Sequence, residues 1–163
     1  MIPIDEHRQL IIEGKIDRID RYVSTEDGIA YCNVIDYKTG KKNLELGKIL
    51  AGIDFQLPVY LMACKNNPEA FQSDQVDVSG VFYYRIHDDL IELGTGKVEE
   101  NIRGKWSMKG MILDDQEIIS AMDLALEQEG TRKSEYLPIK LKKDGQPDQH
   151  TYAIDRKCFD YLM

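Results

Sequence analysis

The sequence predicts an α/β domain with a mixed central sheet and flanking helices, and three stretches carry that prediction. Residues 14–38 read as a β-hairpin: an isoleucine-rich run, the turn-rich Ser24-Thr25-Glu26-Asp27-Gly28, then Ile29-Ala30-Tyr31-Cys32-Asn33-Val34-Ile35. Residues 44–63 are apolar, and their second half leads into Leu57, Leu61 and Cys64 at helical spacing. Residues 76–86 are apolar partly on both faces, as expected of a strand inside a sheet.

Taken in order, residues 1–13 show no helix and run through Gln9-Leu10-Ile11-Ile12-Glu13 straight into the first strand at Gly14, a position suited to a bulge or a close backbone approach. Asp17 breaks an otherwise hydrophobic face of that strand. Asp20 falls on the opposite side and reads as a surface or arginine-pairing residue. After the loop 39–43, Asp54 is the expected N-cap of the helix, and Pro58 is expected in its first turn or at a kink. Asn66-Asn67-Pro68 ends it.

Beyond the strand 76–86, His87 reads as a strand-end residue rather than a ligand, and residues 90–110 as irregular. Trp106 is readable as a packing anchor or a partner surface. Asp114-Asp115-Gln116-Glu117 is the pattern of a capping box, opening a helix with Ile118, Met122, Ala125 and Leu126 on one face. Residues 137–141 and 150–154 flank the turn 144–148 and predict a second hairpin. Asp155 is placed to cap a final helix from Arg156. The chain stops in that helix, which predicts one domain, 1–163, taken from a longer chain.

Composition narrows the class. With 42% hydrophobic and 31% charged residues the chain is globular rather than disordered. No apolar run approaches the ~20 residues that span a bilayer, so no membrane partner is expected. The start lacks the basic segment and apolar core of a signal peptide. Cys32, Cys64 and Cys158 match no zinc spacing and read as buried, reduced thiols of a cytoplasmic protein. No phosphate-binding or dinucleotide glycine motif is present, which removes support for ATP or NAD chemistry.

The net charge of −8 argues against a nucleic-acid ligand. Its distribution argues the other way: Lys38, Lys41, Lys42 and Lys48 cluster after the hairpin, and Arg132, Lys133, Lys140, Lys142 and Lys143 form a second group.

The candidate chemistry lies in the hairpin. Asp36 and Lys38, two apart on a strand, point to one face, with Ile35 and Tyr37 on the other. A register that brings Asp17 beside Asp36 aims two carboxylates at one point with an ammonium nearby, a site for a hard divalent cation such as Mg2+, with Mn2+ as substitute. Lys38 is then not a ligand but a group that holds the attacking water or offsets charge on phosphate oxygens. Gln56 and Tyr60, four apart on one helical face, border the same place or merely edge the core.

In order and spacing, Gly14 to Asp17, Val34-Ile35-Asp36-Tyr37-Lys38 and Gln56 to Tyr60 resemble the GxxD, (V/I)DYK and QxxxY motifs of RecB-like PD-(D/E)xK nucleases. Residues 107–123 and 137–145 are similar to the nuclease regions of the AddB family, second subunits of bacterial helicase-nucleases. The resemblance implies a restriction-endonuclease-like core, Asp17 and Asp36 as metal ligands, Lys38 as the catalytic lysine, and Gln56 and Tyr60 as an accessory pair. Lys41 and Lys42 join them as DNA-binding candidates. It also implies a DNA exonuclease working on unwound strands at double-strand breaks, with an AddA-like partner subunit. That family carries an earlier acidic or histidine motif, for which no counterpart is read here. It also carries an iron-sulfur cluster, and the three cysteines do not match its positions, so none is expected. The competing readings are a nuclease of another RecB-like pathway and a non-catalytic DNA-binding or scaffolding module that keeps the fold.

Overall fold

The computed structural model describes residues 2–3, 5–86, 106–128, 130–149 and 151–163. His87, read from the sequence as a strand-end residue, most of the irregular stretch 90–110, and His150 lie outside them. The described elements are β1 (Ile2–Pro3), β2 (Gln9–Leu10), β3 (Arg18–Val23), β4 (Ala30–Lys38), α1 (Leu46–Leu50), α2 (Gln56–Lys65), β5 (Val76–Arg85), β6 (Lys109–Leu113), α3 (Gln116–Met122), β7 (Ala153–Ile154) and α4 (Arg156–Tyr161). Two 3-10 turns, Pro68–Phe71 and Leu124–Glu127, punctuate them.

The domain is α/β with a mixed five-stranded sheet in the order β3-β4-β5-β6-β7. β3 and β4 form the antiparallel hairpin, turning at Gly28 with φ +73°, a conformation glycine adopts without a Cβ penalty. β4 and β5 run parallel, β6 returns antiparallel to β5, and β7 lies parallel to β6. The hairpin strand begins at Arg18 rather than at Gly14. Residues 11–16 carry no regular structure, and β1 pairs with β2 in a separate two-stranded ribbon.

β4 and β5 are buried on both faces, which is why each reads as a nearly continuous apolar run. One face packs Ala30, Cys32, Val34, Val78 and Val81 against Leu57, Leu61 and Cys64 of α2 and Phe159 of α4. The other packs Ile35, Phe82 and Ile112 against Ile119, Leu137 and Ile139. Ser79 is the extra residue of an irregularity in the β4–β5 register, and its hydroxyl donates to Asn33 Oδ1 at 2.9 Å. Gly80 follows it because a Cβ there would lie 2.5 Å from that same oxygen.

Several local expectations give way to tertiary contacts. α2 begins with Phe55 at its N-cap, without a side-chain cap, because the Asp54 carboxylate is engaged elsewhere. Pro58 does fall in the first turn. Asp115, not Asp114, caps α3, accepting from Ile118 N at 3.2 Å. No capping box forms, since Glu117 instead accepts from Tyr22 Oη at 2.7 Å and from Ser24 Oγ at 3.2 Å, bracing the hairpin turn. α3 ends at Met122, where Asp123 caps the following 3-10 turn, so Ala125 is exposed rather than on a shared helical face.

Residues 109–113 are a strand that was not expected, and it begins inside the stretch read as irregular, 90–110. The second hairpin also differs: β7 pairs with β6, and 132–141 folds back on itself through the Lys133–Lys140 bridge. Thr151 Oγ1 still ties that segment in, accepting from Lys140 N at 2.7 Å. Asp155 caps α4 as expected, accepting from Cys158 N at 2.8 Å. No helix among the described residues is long and apolar enough to cross a membrane.

Candidate active site

The C-terminal end of β4 delivers Asp36 and Lys38 to the sheet face covered by α2. Burial leaves Asp36 only 3% exposed, so its charge needs a partner close by. Lys38 supplies one: its ammonium forms an ion pair with Asp36 Oδ2.

Gln56, the first residue of α2, locks this pair. Its Nε2 donates to Asp36 Oδ1 at 3.1 Å and to Tyr60 Oη at 2.9 Å, while its Oε1 accepts from Lys38 Nζ at 3.1 Å. The amide therefore uses both donors and its acceptor, and the opposite orientation would set oxygen against the carboxylate. Tyr60, one turn on, donates its own hydroxyl hydrogen bond to the backbone oxygen of Lys15 at 2.9 Å. A Cβ on Gly14 would sit 3.5 Å from the Tyr60 ring, so this ring and hydroxyl hold the segment leading to Asp17.

Asp17 lies one residue ahead of β3. The register pairs Arg18 with Ile35, and continuing it by one step sets Asp17 opposite Asp36. Asp17 is exposed, and its Oδ2 accepts from the Tyr37 backbone N–H at 2.9 Å, which fixes it at the end of β4. Asp20 pairs with Arg18 Nε at 2.7 Å, outside this constellation.

The donor set fits a hard divalent cation. Asp36 Oδ2 is buried and, beyond its contact with Lys38, accepts no hydrogen bond of ordinary geometry, leaving lone-pair capacity unused. Among the described residues no group of three or more His, Cys, Asp and Glu side chains is arranged to hold a metal. The ligands on offer are two carboxylates, and magnesium accepts such a pair by completing its shell with water and substrate oxygens.

Two residues of this region were not read from the sequence as part of the site: Asp54, expected only as an N-cap, and Tyr83. Asp54 forms an ion pair with Lys42 at 2.7 Å, and Tyr83 donates a long hydrogen bond to Asp54 Oδ2 at 3.5 Å. Tyr83 is the register partner of Asp36 on β5, and its ring lies 5.5 Å from the ammonium of Lys38 and 5.5 Å from that of Lys42. Burial, followed by the carboxylates of Asp54 and Asp36, pushes the Tyr83 phenol up, so it stays protonated and can donate. The available signal was the position of Asp54, an acid two residues before Gln56 in apolar sequence. Lys41 is exposed on the loop after β4, and Lys48 pairs with Glu45 at 2.8 Å.

The cysteines divide. Cys32 and Cys64 are buried side by side, and the Cys64 thiol together with burial pushes the Cys32 thiol up. Cys158 is exposed on α4, contrary to the expectation of three buried thiols.

A family model of the PD-(D/E)XK nuclease superfamily matches residues 2–152. The chain is 32% identical, over 100% of its length and 14% of the relative's, to an ATP-dependent helicase/deoxyribonuclease subunit of Alkaliphilus metalliredigens (strain QYMF). It is 36% identical, over 93% of its length and 13% of the relative's, to the protein of the same name in Clostridium perfringens (strain SM101 / Type A). For that of Bacillus subtilis (strain 168) the values are 34%, 91% and 13%. The chain thus spans a small part of the length of these relatives.

Proposed function

The chain belongs to the PD-(D/E)XK nuclease superfamily, and from that premise we propose that it is the nuclease domain of a helicase-nuclease, hydrolysing phosphodiester bonds of unwound DNA with a divalent metal. The observation that supports this best is the buried Asp36, paired with Lys38 and locked by Gln56, with Asp17 set opposite by the hairpin register.

Asp17 and Asp36 are the candidate ligands of Mg2+, with Mn2+ as substitute. When bound, the ion lowers the pKa of a coordinated water and offsets charge on the phosphate. Lys38 has three N–H donors, of which Asp36 and Gln56 take two among the described residues. The third is left for the attacking water or a phosphate oxygen, where a fixed positive charge counters the charge that develops as the bond breaks. Gln56 keeps the carboxylate and ammonium in register, and Tyr60 ties that arrangement to the backbone ahead of Asp17. Both are positioning residues.

The relatives are named as helicase/deoxyribonuclease subunits, and on this reading a helicase partner of the AddA kind delivers the DNA strand, in the cytoplasm. The test is calorimetric titration of Mn2+ into the wild-type chain and Asp36→Ala, beside cleavage of an end-labelled single strand with Mg2+. Binding near 1:1 that disappears in the variant is expected. Binding that survives Asp36→Ala, or absence of both binding and cleavage in the wild type, overturns the reading and leaves a non-catalytic module with the nuclease fold.

A further inference from the structure

We propose that Lys42 is a second phosphate subsite, built beside the catalytic centre by Asp54 and Tyr83, that grips a phosphate of the DNA strand next to the one cleaved. This rests on the nuclease reading and deepens it, because it separates two lysines that look alike in the sequence.

Lys41 and Lys42 follow each other in the loop after β4, yet among the described residues it is Lys42 that has partners in the site. Its ammonium lies 2.7 Å from Asp54 Oδ2 and 5.5 Å from the centroid of the Tyr83 ring. The support beneath it is less exposed: Tyr83 is buried at 2% exposure and the Asp54 side chain is 14% exposed, whereas the Lys42 side chain is 39% exposed. The arrangement turns the positive charge outward on a fixed base.

The same ring carries the Lys38 ammonium, also at 5.5 Å, and Tyr83 is the register partner of Asp36. The site therefore contains two acid–lysine pairs, Asp36 with Lys38 and Asp54 with Lys42, gathered about one tyrosine. Their shared ring keeps the two ammoniums within reach of adjacent phosphates on a single strand. Lys42 has already given up much of its side-chain freedom, so less is lost when it meets a phosphate. Tyr83 adds the attraction of its ring face for both cations and a hydroxyl directed at Asp54.

An ion pair that merely closed the loop between residues 42 and 54 would behave differently from a subsite, and the sign of one substitution tells them apart. Asp54→Asn deletes a negative charge beside a polyanion, so simple electrostatics makes DNA bind more tightly. If Asp54 positions Lys42, binding weakens instead.

The experiment measures fluorescence anisotropy of a labelled single-stranded oligothymidylate with the whole chain in Ca2+, across a salt series. Thermal unfolding of every variant serves as the folding control. Lys42→Ala is expected to weaken binding about fivefold and to lower the salt slope by about 0.7, the share of one phosphate contact on a single strand. Asp54→Asn weakens it as well, Lys42→Arg restores it, and Lys41→Ala changes it less than Lys42→Ala. Replacing one phosphate next to the cleaved position by a neutral methylphosphonate weakens wild-type binding but leaves Lys42→Ala indifferent. Unchanged or tighter binding by Asp54→Asn, or an unchanged slope for Lys42→Ala, overturns the subsite. A wild-type chain that binds Mn2+ through Asp36 but shows no such strand response overturns the subsite alone; one that binds neither metal nor strand overturns the nuclease reading with it.

Discussion

Gln56 Nε2 donates to Asp36 Oδ1 at 3.1 Å, so the first residue of α2 is tied to the buried acid at the end of β4. Helix and sheet are joined at the point where the proposed chemistry occurs. Gln56→Glu keeps the shape but replaces two donors by a second carboxylate facing the first. Like charges at that distance cannot both ionise easily. Metal-dependent cleavage is expected to fall at least about tenfold, with a loss that shifts with pH as one acid takes up a proton. Gln56→Met leaves Asp36 Oδ1 without its donor and destabilises the fold by about 1–3 kcal/mol. Cleavage rates against pH and thermal unfolding check both, and a Gln56→Glu protein with wild-type rates sinks the bridging role.

Lys38 is the half-buried counter-ion of Asp36, whose own position is nearly solvent-free. Lys38→Met is expected to abolish cleavage and to destabilise the metal-free chain, by up to about 3 kcal/mol, because a buried charge loses its partner. Added Mg2+ should recover more stability in Lys38→Met than in the wild type, since the ion then supplies the missing positive charge. Melting curves with and without Mg2+ give the comparison. Equal metal-induced shifts in the two proteins would place the ion away from Asp36.

Much of this was legible in the sequence because local chemistry and tertiary environment agree. The hairpin, its turn at Gly28, the helix carrying Leu57, Leu61 and Cys64, and the cap at Asp155 all follow from patterns spanning a few residues. The shared face of Asp36 and Lys38 followed from the side-chain period of a strand, whereas the place of Asp17 opposite Asp36 depends on the hairpin register, which the sequence left as a condition. Where long-range partners intervene, the reading fails. Asp54 has the residue type and place of an N-cap, but a lysine twelve residues back claims it. Glu117 completes a capping-box pattern, yet Tyr22 and Ser24, far away in sequence, offer it better donors. β6 was missed because Gly110 and Lys109 weaken a strand signal in a segment whose burial comes from distant partners, β5 on one side and β7 on the other. No window of neighbouring residues contains these partners.

Asp155 couples the cap of α4 to the reactivity of Cys158. The Cys158 backbone N–H, above all, holds the Asp155 carboxyl below its usual range, and that carboxylate in turn pushes the exposed Cys158 thiol up. A lowered carboxyl pKa means that the cap's stabilisation is present above the unfolded value of ~3.9 and is lost as pH falls through the lower folded value. Exchange of the Cys158 amide hydrogen should accelerate across that acidic window relative to neighbouring helical amides. For the thiol, Asp155→Asn removes the repelling charge, so the pH profile of iodoacetamide labelling should move to lower pH. Cys32 and Cys64, being buried, should label only on unfolding. A profile that does not move when Asp155 is replaced would separate the thiol from the cap.

Gly110 sets how closely β6 can approach β5. It is paired with Phe82, and a Cβ at this position would collide with the backbone oxygen of Val81 and lie 2.8 Å from Phe82 Cα and Cδ1. Its φ is not in the left-handed region, so the requirement for glycine is steric, not conformational. A flexible side chain could turn aside, but a carbonyl in the sheet ladder moves only with its strand. The Phe82 ring, fully buried against Ile35 and Ile112, has no free volume to enter. Gly110→Ala should therefore cost at least about 3 kcal/mol, at the upper end of overpacking penalties. Gly40 supplies the contrast: a Cβ there meets nothing within 4 Å, and Gly40→Ala should stay within about 0.5 kcal/mol of the wild type. Urea unfolding of the two variants, compared at equal slope, measures the difference. Near-equal midpoints would mean that β6 does not lie against β5 as described, and with it the strand pairing that flanks Tyr83 would have to be redrawn.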